Sequence, residues 1–168
     1  MGQYGSVTRK AIQDEVVGNY CWGCGADNPM GLQLKSYWDG EVAAGQWSPG
    51  DEHAAGPRHF LNGGIIATLL DCHSICTAVA SAYQREHRDV GTDPEIWFAT
   101  ASMTVDYLRP TPIDSTVQLS ARVVSHDDRS TTVECVLEAA QKERARASIV
   151  AVRVPDDWRH GASVSPTP

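Results

Sequence analysis

Positive charge is in short supply along this chain. Its 14 Lys and Arg face 21 Asp and Glu, for a formal net charge of −7 at pH 7 and a pI near 5.2. A broad electrostatic footprint for nucleic acid needs clustered basic residues to neutralise phosphates, so no nucleic-acid partner is expected, though a local basic pocket for one anionic ligand stays open. Also lacking is any run near the ~20 apolar residues of a membrane span, and Met1–Lys10 has no basic-then-apolar leader pattern. A soluble, cytoplasmic protein with no membrane partner is the expectation. Cysteine is sparse and odd in number, with Cys21, Cys24, Cys72, Cys76 and Cys135 scattered through segments able to pack without crosslinks. A disulfide framework is therefore not expected, and the thiols read as reduced. At 168 residues the length suits one domain and leaves little for a second.

Residues 1–19 read as a polar N-terminal extension, with a short helix around Arg9–Val17 ending at Gly18. Residues 20–155 read as the folded domain, and residues 156–168, rich in Pro, Ser and Gly, as a disordered tail. The segment Cys21 to Gly31 is dense in Gly, Asn, Asp and Pro, the composition of a tight loop. Leu32–Trp38 and Glu41–Trp47 flank Asp39-Gly40, a hairpin signal. Ser48–His59, with two prolines and two glycines, reads as a crossing loop. Gly64–Tyr83 has no internal Gly or Pro and is apolar on nearly every face, which predicts a buried helix. Four strands are expected after an exposed loop at Gln84–Asp93: Ile96–Leu108, then segments alternating at Val117 to Val123 and at Val133 to Ala139, and last Ala145–Val154. The order predicts an α+β fold in which a curved antiparallel sheet wraps one long central helix.

Three motifs in this order carry a resemblance. Asn62-Gly-Gly-Ile-Ile-Ala-Thr-Leu-Leu-Asp71 resembles the signature of the phenylacetyl-CoA thioesterase-like (PaaI-type) group of the hotdog superfamily, in which His-Gly-Gly precedes an apolar run and a helical Asp or Glu. Cys21-Trp-Gly-Cys-Gly-Ala-Asp-Asn-Pro-Met-Gly-Leu32 resembles the opening loop of those proteins, and Thr104-Val-Asp-Tyr-Leu-Arg-Pro110 their strand after the helix. The resemblance spans roughly residues 20–155. It implies a hotdog thioesterase domain that self-associates as a dimer or a dimer of dimers and acts on acyl-CoA or acyl-carrier-protein thioesters.

Asp71 stands in a helix otherwise apolar around its circumference, where a carboxylate must be hydrogen-bonded, paired or facing a cavity. It is the candidate nucleophile, or the general base that activates water. Gly63 and Gly64 open the helix, where unpartnered N–H groups and the helix dipole can hold an oxyanion, with Gly64 the preferred donor. An isolated Gly-Gly is more often only a turn. Asn62 stands where the family usually has His, so it can donate to a carbonyl or buttress the turn but cannot exchange a proton near neutral pH. Thr100 stands where some relatives carry a Ser or Thr that orients water, and a strand Thr is otherwise an ordinary β-former. His59 reads as an exposed loop residue and His73 as core or interface. Gly63 and Asp71, eight positions apart, lie ~12 Å apart along a helix axis, so one chain cannot aim both at one carbonyl. A two-fold dimer with composite sites follows if both act.

Cys21 and Cys24 have metal-like spacing, but zinc normally wants four ligands and no second pair with matching spacing appears. Cys72 and Cys76, one helical turn apart, are able in principle to join them. The expectation is a turn-forming loop with free thiols, and neither metal nor cofactor. Arg85, Arg88 and Arg109 are cationic but none is assigned to coenzyme A. Two other readings stand beside hydrolysis: a non-catalytic acyl-CoA-binding module, and a hotdog hydratase or dehydratase.

Overall fold

The long apolar run folds as α2, Gly63–Arg85, 23 residues that exceed the expected span by a residue or two at each end. Two of its buried hydroxyls are satisfied within the helix, Ser74 Oγ donating to the Leu70 carbonyl at 2.8 Å and Thr77 Oγ1 to that of His73 at 2.7 Å. At this length α2 is also apolar enough to cross a bilayer, which corrects the sequence reading that no segment reaches that limit. A sheet covers it instead, leaving 67% of its most apolar stretch buried. The computed structural model describes residues 10–159.

Six antiparallel strands form that sheet: β1 (Lys35–Trp38), β2 (Val42–Trp47), β3 (Phe98–Tyr107), β4 (Val117–His126), β5 (Ser130–Ala139) and β6 (Lys142–Arg153). The spatial order is β1-β2-β4-β5-β6-β3. The expected hairpin is present: the Asp39 carboxylate accepts from the N–H groups of Glu41 and Val42, and Gly40 takes a φ of +108° that glycine tolerates. Alternation along the central strands places Val117, Leu119, Val133, Leu137, Ala145, Ala147 and Ile149 in the core with Leu69 and Leu70 of α2. Bulges in β3 and β4 bend the sheet around the helix. The α+β architecture expected from the sequence is thus the one observed.

The N-terminal stretch is less peripheral than its polarity suggests. A single short helix, α1 (Ile12–Glu15), replaces the longer one expected, and Arg9 lies outside the described residues. Ala11 and Ile12 are buried, and the Gln13 amide clasps Ser36, donating to its Oγ at 3.0 Å and accepting from its N–H at 2.9 Å. After Pro155, where a disordered tail is expected, Asp156–Arg159 form one helical turn, α3, and residues 160–168 lie outside the described residues.

Candidate active site

The start of α2 is set by Asn62, whose Oδ1 accepts from the N–H of Gly64 at 2.7 Å and from that of Ile65 at 3.3 Å. This is an N-cap: a short polar side chain satisfies donors that the helix cannot. Of the two roles the sequence left open for Asn62, buttressing the turn is the one observed, and one expectation is corrected: Gly64, the preferred oxyanion donor, has its N–H engaged. Among the described residues none accepts from the Gly63 N–H, which leaves that group available to a ligand. The Gly63 carbonyl is held by the Tyr107 hydroxyl at 2.9 Å.

Asp71, two turns further on, is half-buried and receives a hydrogen bond from Thr100 Oγ1 at 2.5 Å. That length is characteristic of a hydroxyl donating to a carboxylate. Burial pushes the Asp71 carboxyl up, the Thr100 hydrogen bond opposes the shift, and negative charge at Cys24 adds to it. The structure therefore brings together the carboxylate and the threonine picked out in sequence. It keeps Gly63 of the same chain at the far end of the helical segment.

A bulge in β3 makes both ends of this arrangement. Thr100 pairs with Ala151 and Ser102 with Val150, so Ala101 has no partner across the ladder. Before the bulge Phe98 and Thr100 face the helix; after it the parity changes, and Val105 packs on the core while Tyr107 reaches Gly63. A strand without the extra residue would alternate once throughout and turn Tyr107 away. Tyr107 is the site residue that sequence reading missed.

Asp71 and Thr100 lie at the wall of a cavity of about 330 Å³, otherwise lined largely by apolar side chains that include Ile75, Val79, Ile96 and Phe98. A second groove, at the Gly63 end, runs between Phe60, Tyr107, Leu108 and Arg109. Arg109 donates to the Glu143 carbonyl at 3.0 Å, Arg85 to Ser81 Oγ at 2.8 Å, and Arg88 pairs with Glu86 at 2.6 Å. His59 is exposed, as its loop position suggests. His73 is fully buried in the core: one ring nitrogen meets Ser36 Oγ at 2.8 Å and the other the Ala43 carbonyl at 3.2 Å. Burial pulls its pKa down to about 4.

On the wall beside Asp71 the cysteines converge. Cys21 and Cys72 have their sulfurs 3.7 Å apart, the Cys24 sulfur lies within 4.8 Å of both, and Cys76 lines the same wall. Hydrogen bonds from Cys21, then from Cys72 and Cys76, hold the Cys24 thiol well below its usual range. All five cysteines are free, as expected; the sequence reading left a meeting of the two pairs open in principle, and the fold brings Cys21, Cys24 and Cys72 together. The signal was there in the one-turn spacing of Cys72 and Cys76; the fold supplies the proximity.

Comparison with known proteins places these features in a family. The thioesterase superfamily profile matches residues 59–145, from the loop before α2 into β6. A thioesterase superfamily protein from Shewanella loihica is 34% identical over 73% of this chain and 91% of its own, with a TM-score of 0.58. The Escherichia coli PaaI protein, from the phenylacetic acid degradation operon, shares the fold at 16% identity, over 74% of this chain and 81% of its own, with a TM-score of 0.61. A Streptococcus mutans protein solved bound to acetyl-CoA does so at 15% identity, over 72% and 88%, with a TM-score of 0.59. No curated protein matches. The profile match across the central helix and sheet, joined to the Shewanella relative, shows that the chain belongs to the thioesterase superfamily and has its hotdog fold.

Proposed function

We propose that this protein hydrolyses an acyl thioester of coenzyme A or of an acyl carrier protein to the free acid and the thiol. The observation that carries the proposal is the Thr100–Asp71 hydrogen bond of 2.5 Å at the wall of an apolar cavity. A carboxylate held by a hydroxyl beside an acyl-sized apolar space is the minimum equipment for attack on a thioester carbonyl.

In this mechanism Asp71 acts as general base or as nucleophile. As base, it takes a proton from a water that Thr100 holds through an oxygen lone pair, and the water oxygen adds to the carbonyl carbon. The tetrahedral intermediate collapses with cleavage of the C–S bond, and the thiolate leaves and is protonated. As nucleophile, Asp71 forms an anhydride that water then cleaves. Either route builds an oxyanion, and the Gly63 N–H at the positive end of α2 suits it, in place of the capped Gly64.

Gly63 and Asp71 are eight residues apart on one helix, a separation of ~12 Å along its axis. The site is therefore composite, Gly63 of one protomer facing Asp71 of another. The long edge strand β3 supports this reading: most of its ten residues are exposed, an arrangement that isolated proteins avoid. The cavity, at about 330 Å³, lies at the small end of the ~300–1,000 Å³ usual for ligand sites, which favours a short or aromatic acyl group. Acetyl-CoA in the Streptococcus mutans structure supports a coenzyme A carrier. With His73 sealed in the core and Asn62 used as a cap, no histidine among the described residues of this chain stands at Asp71 to shuttle protons at the substrate α-carbon, which weighs against hydration chemistry. Reduced thiols fit a cytoplasmic setting.

Thiol release from short, long and aromatic acyl-CoAs, with an enoyl thioester beside its saturated partner, tests the proposal. Release from short or aromatic saturated substrates is expected. Stoichiometric binding without release from any member, or turnover confined to the enoyl double bond, would contradict it.

A further inference from the structure

Four of the five cysteines meet beside Asp71, and the catalytic proposal uses none of them. Cys21 and Cys24 come from the loop before β1, and Cys72 and Cys76 from successive turns of α2. The sulfurs of Cys21, Cys24 and Cys72 all lie within 4.8 Å of one another, and Cys76, one helical turn beyond Cys72, lines the same wall just outside that set. Zinc bound tetrahedrally at Zn–S ≈ 2.3 Å sets adjacent sulfurs about 3.8 Å apart. The 3.7 Å between Cys21 and Cys72 matches that tetrahedral edge, and is far longer than the ~2.05 Å of a disulfide.

The backbone is shaped to bring the loop this close. A Cβ on Gly23 would lie 2.3 Å from the Cys72 sulfur and 2.7 Å from Thr68 Cγ2, so only glycine lets the loop seat on the helix there. A Cβ on Gly25 would lie 2.4 Å from the Cys21 nitrogen, and the Gly25 N–H instead closes the turn onto the Cys21 carbonyl at 2.8 Å. Leu32 and Leu34 donate to the Trp22 and Gly23 carbonyls at 2.8 and 3.1 Å, anchoring the loop independently of the thiols. Asn19 Nδ2 approaches the Cys24 sulfur at 4.0 Å, an outer donor of the kind that orients metal-bound thiolates.

We infer that Cys21, Cys24, Cys72 and Cys76 hold one zinc ion in a closed four-sulfur site. Binding releases the protons of the thiols that still carry them, Cys24 being held as thiolate already, and changes no oxidation state. Four protein ligands leave no open position, so the ion is structural: it ties the loop to α2 one residue from Asp71 and stiffens the wall of the acyl cavity that these cysteines share.

The test is metal analysis of the purified full-length chain, followed by exchange of the metal for Co²⁺. One zinc per chain is expected to survive gel filtration. The cobalt form should show intense thiolate-to-metal charge transfer with tetrahedral d–d bands, and X-ray absorption should count four sulfurs. Cys24→Ser and Cys76→Ser should each lose most of the zinc; the wild-type readings stand even where a variant fails to fold. Substoichiometric zinc with no cobalt bands, or a Cys21–Cys72 disulfide by mass spectrometry, would overturn the site. A count of three sulfurs, or full zinc retention in Cys76→Ser, would overturn its four-sulfur form. None of these readings depends on thioester hydrolysis, so failure of one proposal leaves the other standing.

Discussion

Asn62 ends a loop and begins a helix with the same side chain, and this fixes where the free donor of the site lies. By capping Gly64 and Ile65 it leaves the Gly63 N–H as the group at the tip of α2. Asn62→Ala should lower stability by about 1 kcal/mol, while Asn62→Asp, which caps equally well, should stay near wild type. Thermal unfolding of both variants checks this: a chain of this length should lose ~2–4 °C for the alanine variant only. Equal melting of wild type and alanine variant would remove the capping role. The buttressing role was one of two readings legible in the sequence, since Asn before a long apolar run is a helix-start signal; which of the two applies depends on the backbone geometry that aims its Oδ1 at Gly64. Asp71 was legible for a simpler reason: one carboxylate in a helix buried on nearly every side has few structural excuses.

β3 works through its bulge. The unpaired Ala101 lets one strand present Thr100 to Asp71 and Tyr107 to Gly63, contacts on opposite sides of a change in alternation. Thr100→Val keeps the β-branched shape and removes the hydroxyl that donates to the carboxylate. A hydrogen bond to a charged group contributes about 1.5–3 kcal/mol, so kcat should fall roughly 10- to 100-fold with little change in melting temperature. Tyr107→Phe removes a neutral hydrogen bond and should cost about five-fold. Steady-state kinetics of the two variants, with unchanged far-ultraviolet circular dichroism, is the check; an inverted order of effects would contradict these roles. The strands of the meander were legible because period-two alternation holds through Val117 to Leu119 and Val133 to Leu137. The bulge was not, because one extra residue in an already mixed polar and apolar strand leaves no mark on composition. Tyr107 was overlooked for the same reason.

The whole molecule leaves its longest exposed strand at the sheet edge, one face of the account that calls for a second copy. Association through β3 should give a dimer or a multiple of dimers in sedimentation velocity. Met103→Lys, which places a charge on that edge, should shift the chain toward monomer and lower activity in parallel. An active monomer would end the composite-site mechanism. At this scale the element order and the wrapping of helix by sheet followed from patterning alone. What patterning could not supply is the meeting of distant segments: Gln13 with Ser36, and the loop cysteines with those of α2. Such contacts depend on how the chain returns upon itself, and local spacing does not encode it. The central claim, that Asp71 performs the chemistry, is most directly tested by comparing thiol release by wild type and Asp71→Asn on the best substrate at equal protein concentration. The account predicts that the asparagine variant keeps its fold and oligomeric state while kcat falls about 10²- to 10⁴-fold, the range of a lost acid–base group. A variant that turns over at a near-native rate would contradict it.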